Sequence, residues 1–387
     1  MPFSHLNDEL QVLEDQGLRR RRRIVGSAQG ATIQVDGKSY LSFCSNDYLG
    51  LANHPALIAA ACDGAAQYGV GSGASHLITG HTQAHHLLEQ ALAKLVGLSD
   101  ALLFSTGYMA NMGIVSALVG RNDTVFVDKL NHASLNDAVL VSRARMQRYP
   151  HLHMKRLETM LAASKQGRKL VITDAVFSMD GDMAPLPELL RLCEQYDAWL
   201  MLDDAHGFGV LGEEGQGILA HFALRSPRIV YMATLGKAAG VFGAFVAGSP
   251  ELIQTLIQRA RTYIYTTAMP PMLATALLAS VDLIRQENWR RQHLQALIQF
   301  LKNNLKLARW QLMPSDTPIQ PVVIGSNQET LAVSEALRQR GILVPAIRPP
   351  TVPKGEARLR ISFSAAHSLE DARKLVSALH ELEKIKG

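Results

Sequence analysis

Cysteine is scarce in this 387-residue chain: Cys44, Cys62 and Cys193 are scattered, odd in number and match no pairing rule. That argues against a disulfide framework or a zinc site and makes a reducing cytoplasm the expected location. Long apolar runs are missing as well. The longest, MPPMLATALLASV, falls short of the roughly 20 residues that cross a bilayer and ends in Asp282, so no membrane role is expected. The opening MPFSHLNDELQVLEDQ carries acids early and has no apolar core, unlike a secretory signal. The basic excess is small, a formal +5, and the run Arg19 to Arg23 has no interleaved aromatics, so no nucleic-acid partner is expected. His85-His86 and His151-x-His153 show neither cysteine nor acid at metal spacing, so no metal is expected.

What is present is a core-forming composition, 47% hydrophobic, in a chain long enough for a large domain and a smaller one. Residues 4–23 read as a helix ending in the arginine run. The β-rich ATIQVDGKSYLSF follows, with Asp36-Gly37 as its turn signal. Apolar runs at 101–105, 124–128, 169–174, 198–204, 229–233 and 243–248 then alternate with helical periods. This is the pattern of a mostly parallel sheet with helices on both faces. From about 285 a polar helix, a strand (PIQPVVIG), a helix, a strand (ARLRISFS) and a final helix near Ser368 read as a smaller α/β domain. The expected organisation is an N-terminal segment (1–50), a large domain (51–284) and a C-terminal domain (285–387).

Polar residues cluster at the carboxyl ends of these strands, where open α/β sheets bind ligands. Asp203 closes a buried run, which is costly without a partner; a protonated pyridine nitrogen is one such partner, and a turn cap is the other reading. Lys237, in a Gly-containing turn one crossover later, is either a surface lysine or an amine whose desolvation favours imine formation. Ser105-Thr106-Gly107-Tyr108 opens a helix whose backbone amides suit a phosphate, or are simply capped. Thr234 would stand beside that anion, and His132, at the same sheet edge, would stack on a planar ring. GFGVLG (207–212) matches the dinucleotide fingerprint, but no helix signal follows it and no acid ends the next strand, so a nicotinamide site is rejected.

These segments together resemble the α-oxoamine synthases, pyridoxal-phosphate (PLP) enzymes. The likeness runs through CSNDYLGL (44–51), GSGASHLITGHT (71–82), NHASL (131–135), FSMDGDMAPL (177–186), DDAHGFGVLGEEGQG (203–217), TLGKAAG (234–240), YTTAMPP (265–271), AIRPPTVP (346–353) and RLRISFSAAH (358–367). It implies the fold type I architecture of PLP-dependent transferases: a mostly parallel seven-stranded sheet flanked by helices, a smaller C-terminal α/β domain and an N-terminal helical segment. It also implies a homodimer with sites at the subunit interface.

The resemblance assigns the roles. Lys237 would hold the cofactor as a Schiff base, Asp203 would pair with the pyridinium nitrogen, and His132 would stack on the ring. His206 and Ser178 would contact the phenolic oxygen and its neighbours. Gly107, Tyr108 and Thr234 would bind the phosphate, and Thr266 or Thr267 would reach the phosphate of the partner subunit. Arg360 would take the amino-acid carboxylate, with Arg348 as competitor; Asn46, Thr351 and Arg20 are the remaining substrate contacts. RPPTVP with RISFSAAH resembles the members that join L-alanine to a pimeloyl thioester of CoA or acyl carrier protein. A member using glycine with acetyl-CoA is the alternative. A PLP-binding regulator without activity is a second, which the intact Asp203, His206 and Lys237 set argues against. Phe208 replaces a usual threonine and is expected to reshape the acyl channel.

Overall fold

The computed structural model describes residues 3–384. In chain order its elements begin with α1 (His5–Asp15), β1 (Thr32–Val35), β2 (Lys38–Ser42), α2 (Pro55–Tyr68), a π-helical turn (His76–Gly80), α3 (Gln83–Val96), β3 (Asp100–Phe104) and α4 (Gly107–Leu118). Then come β4 (Thr124–Asp128), α5 (Ala133–Ser142), β5 (Arg145–Tyr149), α6 (Met154–Ala163), β6 (Lys169–Asp174), α7 (Leu186–Gln195), β7 (Trp199–Asp203), α8 (Ile218–His221), β8 (Ile229–Thr234) and β9 (Ala244–Gly248). Helices α9 (Pro250–Arg259), α10 (Arg261–Ile264), α11 (Pro271–Gln286) and α12 (Asn288–Asn304) follow. The chain closes with β10 (Gln311–Leu312), β11 (Ile319–Gly325), α13 (Asn327–Gln339), β12 (Ile342–Leu343), β13 (Ala346–Ile347), β14 (Ala357–Ser362) and α14 (Leu369–Lys384).

The chain divides into two compact units. The larger comprises Asp47–Ser178 and Asp182–Gln292; the smaller takes the residues up to Asn46, Met179–Gly181, and those from His293 onward. The large unit is built on a seven-stranded sheet of order β3-β9-β8-β7-β6-β4-β5. Strand β9 runs antiparallel to both its neighbours, and every other pairing is parallel. Every residue of β4 and of β9 is buried, so their sequences read as continuous apolar runs instead of alternating ones. Helices α4, α5 and α9 cover one face through Ile114, Val115, Leu135, Val139, Ile253 and Leu256. Strand β5 (RMQRY), at one edge of the sheet, escaped the sequence reading because only Tyr149 is buried and it spells no apolar run; its exposed Arg145 and Arg148 also discourage edge-to-edge pairing.

The N-terminal stretch expected as a separate piece, 1–50, pairs instead within the smaller unit: β12 joins β2 in parallel through Ile342↔Leu41 and Leu343↔Ser42. The boundary expected at 284/285 falls inside α12. Its first turn anchors to the large unit, with Arg290 Nη1 donating to the Leu49 carbonyl at 3.0 Å. Residues 179–181 join the smaller unit because Asp180 pairs with the buried Arg358 and the Gly181 carbonyl accepts from Ser315 and Thr317 at 2.8 and 3.1 Å.

The helix expected over 4–23 stops at Asp15. Gly17 adopts φ +64°, Leu18 N–H reaches the Leu13 carbonyl at 2.7 Å and Gly17 N–H the Glu14 carbonyl at 2.8 Å, a Schellman stop. Continuing would set like charges side by side at i,i+3 and i,i+4, Arg19 against Arg22 and Arg23 and Arg20 against Arg23. The extended path lets Arg19 and Arg21 share Glu14 at 3.3 and 2.9 Å. Asp36 and Gly37, at φ 49° and 78°, make the tight turn joining β1 to β2.

Candidate active site

In the large unit the expected residues gather at the carboxyl ends of β4, β6, β7 and β8. Lys237 lies three residues beyond β8, with Nζ 2.8 Å from His206 Nε2, and His206 Nδ1 is 2.6 Å from the Tyr48 hydroxyl. His206 is buried and Lys237 half-buried. The amine therefore sits against an imidazole held from its far side, a setting that orients it for proton exchange or attack on a carbonyl.

Asp203 ends β7, one strand over from β8, and is 4% exposed. Its Oδ2 accepts from Asn111 Nδ2 at 2.8 Å, and its Oδ1 from the Ala205 amide at 3.1 Å. The Asn111 amide also donates to Ser134 Oγ at 2.9 Å, which lies 2.7 Å from His132 Nδ1. One polar chain thus links the acid to the histidine expected over the ring. His132 caps α5, and its backbone N–H donates to Asp174 Oδ2 at 2.6 Å. Desolvation lowers the His132 pKa; the Asp203 charge opposes this and the Lys237 charge adds to it. Burial, then the neighbouring Asp203 charge, push the Asp174 carboxyl well above the carboxylate range.

Helix α4 opens at Gly107, capped by Thr106, whose hydroxyl accepts from the Met109 amide at 3.1 Å. The Gly107 and Tyr108 amides fall in the first turn, where helical N–H groups lack intrahelical partners. A Cβ placed on Gly107 would lie 3.9 Å from Thr234 Cβ, so the threonine stands beside this end of the helix. The Thr234 hydroxyl donates to the Gly243 carbonyl at 3.0 Å and accepts from the Gly236 amide at 3.3 Å. The exposed Tyr108 hydroxyl donates to Asp137. Ser178 is half-buried just beyond β6. Thr266 and Thr267 occupy the segment between α10 and α11, half-buried and exposed respectively. An amine, a buried acid and a helix N-terminus flanked by a hydroxyl fit a ligand that carries a carbonyl, a basic ring nitrogen and a phosphate.

The smaller unit brings together a second set. Arg360 is 5% exposed on β14 and donates through Nη1 to Ser362 Oγ at 2.7 Å and Asn46 Oδ1 at 3.2 Å. Arg348 is anchored through Nη1 to the Gly17 carbonyl, and its buried Nε has no partner among the described residues. Thr351 is exposed, its amide donating to the Arg348 carbonyl at 3.0 Å. Arg20 is exposed between the two arginines that Glu14 holds.

Sequence reasoning missed Asn111, Asp174 and Tyr48. Asn111 follows Gly107 by one helical turn, the only signal that placed it on the same face. Asp204 was passed over as well. It is fully buried, accepting from the Ile218 amide at 2.7 Å and the Tyr231 hydroxyl at 2.8 Å. A Cβ at Gly207 or Gly217 would meet its carboxylate oxygens at 2.1 and 2.2 Å, so Gly207 of the fingerprint-like stretch and Gly217 beyond it let the backbone close around Asp204.

Two expectations are corrected. Phe208 is buried edge-to-face on Phe245, centroids 5.2 Å apart, so it is a core residue and not a channel wall in this chain. His85-His86 do have an acid nearby: Glu89, one turn along α3, lies 3.7 Å from His81 Nε2, its carboxyl pushed up to about 8 by burial. Donor atoms of His76, His81 and His85 lie within 4.8 Å of one another. His85, however, is committed to the fold, with Nδ1 accepting from the Thr82 amide at 3.0 Å and Nε2 2.8 Å from the Met269 carbonyl.

Residues 38–379 match the class I and II aminotransferase family. The 8-amino-7-oxononanoate synthase of Nitrosospira multiformis is 65% identical over 379 residues, spanning 98% of this chain and 96% of that one. A solved 8-amino-7-oxononanoate synthase from Francisella tularensis is 30% identical with a TM-score of 0.77, covering 89% of this chain and 97% of its own. A serine palmitoyltransferase from S. paucimobilis, solved with a bound PLP–myriocin aldimine, is 28% identical with a TM-score of 0.90, covering 98% and 97%.

Proposed function

Since the chain belongs to the 8-amino-7-oxononanoate synthase family, within the class I and II aminotransferases, we propose that it condenses L-alanine with a pimeloyl thioester in biotin synthesis. In balance, a bond forms between alanine Cα and the acyl carbon as the C–S bond breaks. The thiol leaves with a proton, the carboxylate departs as carbon dioxide, and Cα takes a proton to give 8-amino-7-oxononanoate. The observation that carries this reading is the Lys237–His206 contact at 2.8 Å, on the strand beside the one that ends in buried Asp203.

The cofactor is pyridoxal phosphate. When bound, it supplies a carbonyl that the lysine can join and a ring that takes up charge from the substrate Cα. Lys237 would hold it covalently and move the Cα proton. Asp203, oriented by Asn111, would hold the proton at the ring nitrogen. His132 would cover one ring face, with His206 and Ser178 at the oxygen substituent. The Gly107 and Tyr108 amides with Thr234 would bind the phosphate, and Thr266 or Thr267 would serve the phosphate of a partner in a homodimer. We assign the alanine carboxylate to Arg360, a preformed and always-charged fork, with Arg348 as the competitor. Thr351 and Arg20 are assigned to the acyl substrate, whose carrier is either CoA or acyl carrier protein, and Asn46, bonded to Arg360, is a further substrate contact.

No described helix is long and apolar enough to cross a membrane, and three free thiols support the cytoplasm as the site of action. The direct test is thiol release from pimeloyl-CoA with L-alanine, followed by mass spectrometry of the product. The expected product is 8-amino-7-oxononanoate; a preference for glycine with acetyl-CoA would overturn the substrate assignment.

A further inference from the structure

Away from the Lys237 cluster, one imidazole is held between two carboxylates. His151, in the loop between β5 and α6, places Nδ1 2.9 Å from Asp128 Oδ1 and Nε2 2.8 Å from Asp182 Oδ2. Both ring nitrogens face acceptors, so both carry protons and the ring is a cation. Burial works against that charge, but the hydrogen bonds to Asp128 and Asp182 outweigh it and push the pKa up to about 10. The ring also meets Phe177 edge-to-face, centroids 4.5 Å apart at 88°.

Each carboxylate belongs to a segment that carries an active-site residue. Asp128, 1% exposed at the end of β4, also accepts from the Leu130 and Leu152 amides, both at 2.9 Å, and its carbonyl accepts from Asn131 N–H at 3.2 Å. That turn runs directly into His132. Asp182 stands on the return limb of a short β-bridged excursion after β6. Its carbonyl accepts from the Phe177 amide at 2.9 Å, and Val176 bridges Met183. Ser178 is the next residue on the outgoing limb. The imidazolium is thus a side-chain tie between the turn that delivers His132 and the limb that delivers Ser178, reaching beyond the bonds that Asn131 and His132 make to the end of β6.

We propose that His151 is a positioning residue for the reaction: its two charge-assisted hydrogen bonds hold the His132 turn and the Ser178 limb in register, so that the ring and the hydroxyl reach the cofactor together. This rests on the PLP reading above, in which both residues touch the cofactor. Glutamine at 151 cannot replace the imidazolium, because an amide that donates toward one carboxylate turns its own oxygen toward the other.

The test compares wild-type holoenzyme with His151→Gln and Asp182→Ala, measuring kcat, KM for alanine, PLP dissociation, visible circular dichroism of the bound cofactor, and Tm. The expected result is a fall in kcat of about 10- to 100-fold, with an unchanged KM for alanine, faster PLP loss and an altered dichroic band. Wild-type kcat, dichroism and PLP retention in both variants, with only Tm lowered, would make His151 a fold clamp and overturn the proposal. If His151→Gln does not fold, Asp182→Ala decides alone, since it leaves the Asp128 bonds intact. A wild-type protein that shows no PLP band at all would instead overturn the cofactor reading.

Discussion

Asp203 and His132 are joined through two intermediaries: Asn111 donates to Asp203 at 2.8 Å and to Ser134 at 2.9 Å, and Ser134 lies 2.7 Å from the His132 ring. The acid expected beneath the cofactor nitrogen and the ring expected above the cofactor plane are therefore oriented by one hydrogen-bonded unit. Residues acting through such a unit have non-additive effects when removed.

Replacing Asn111 with alanine leaves Asp203 Oδ2 without its side-chain donor. The loss of one hydrogen bond to a buried charge, about 1.5–3 kcal/mol, should slow exchange of the alanine Cα proton by roughly 10- to 100-fold. Asp203→Asn should retain PLP but slow the same exchange further. Combining the two should cost less than their product, and full additivity would show that Asn111 does not act through Asp203. Deuterium exchange followed by NMR is the measurement.

Lys237→Ala should abolish turnover and eliminate the borohydride-reducible adduct, read as the absence of the cofactor mass on the intact protein. Normal turnover in this variant would remove Lys237 from the chemistry.

Arg360→Ala and Arg348→Ala should separate by kinetics. The Arg360 variant should raise KM for alanine by about tenfold or more, as expected for loss of a charged carboxylate contact. The Arg348 variant, having lost its tie to the Gly17 carbonyl, should mainly lower Tm. The reverse pattern would transfer the carboxylate to Arg348.

Burial pushes Asp204 up to about 7, with hydrogen bonds from the Ile218 amide and the Tyr231 hydroxyl only partly offsetting it. An unfolded aspartate titrates near 3.9. Between those values the native state binds more protons than the unfolded one, so this residue's contribution to stability declines as pH rises from about 4 to about 7. Asp204→Asn should remove that slope while keeping an acceptor for Tyr231. The stability difference, variant minus wild type, should grow over this window and level off above it. A constant difference from chemical denaturation at pH 4 to 8 would show that Asp204 is ionised throughout.

The strands of the large sheet other than β5 were legible because each is largely buried and so spells an almost unbroken apolar run, and because the polar residues that end those runs are conspicuous in a 47% hydrophobic chain. Lys237, Asp203, His132 and Thr234 could be picked out for that reason, and the Gly107 turn because capping chemistry is local. The end of α1 was also written in the sequence, in Gly17, but the eye follows the arginines past it.

What the sequence alone determined was which residue types stand at which strand ends. Only the tertiary structure decided who holds them. Asn111 reaches Asp203 across 92 positions, Tyr48 reaches His206 across 158, and His151 meets Asp182 across 31. A side chain's period and neighbours record its burial and local geometry; a hydrogen bond between distant segments depends on the order in which strands enter the sheet, and no local pattern encodes that order. The same limit hid Asp204: beside Asp203 in sequence, it bonds the Ile218 amide and the Tyr231 hydroxyl instead of Asn111, and only those partners and the glycines packed on it show that its work is to hold the fold.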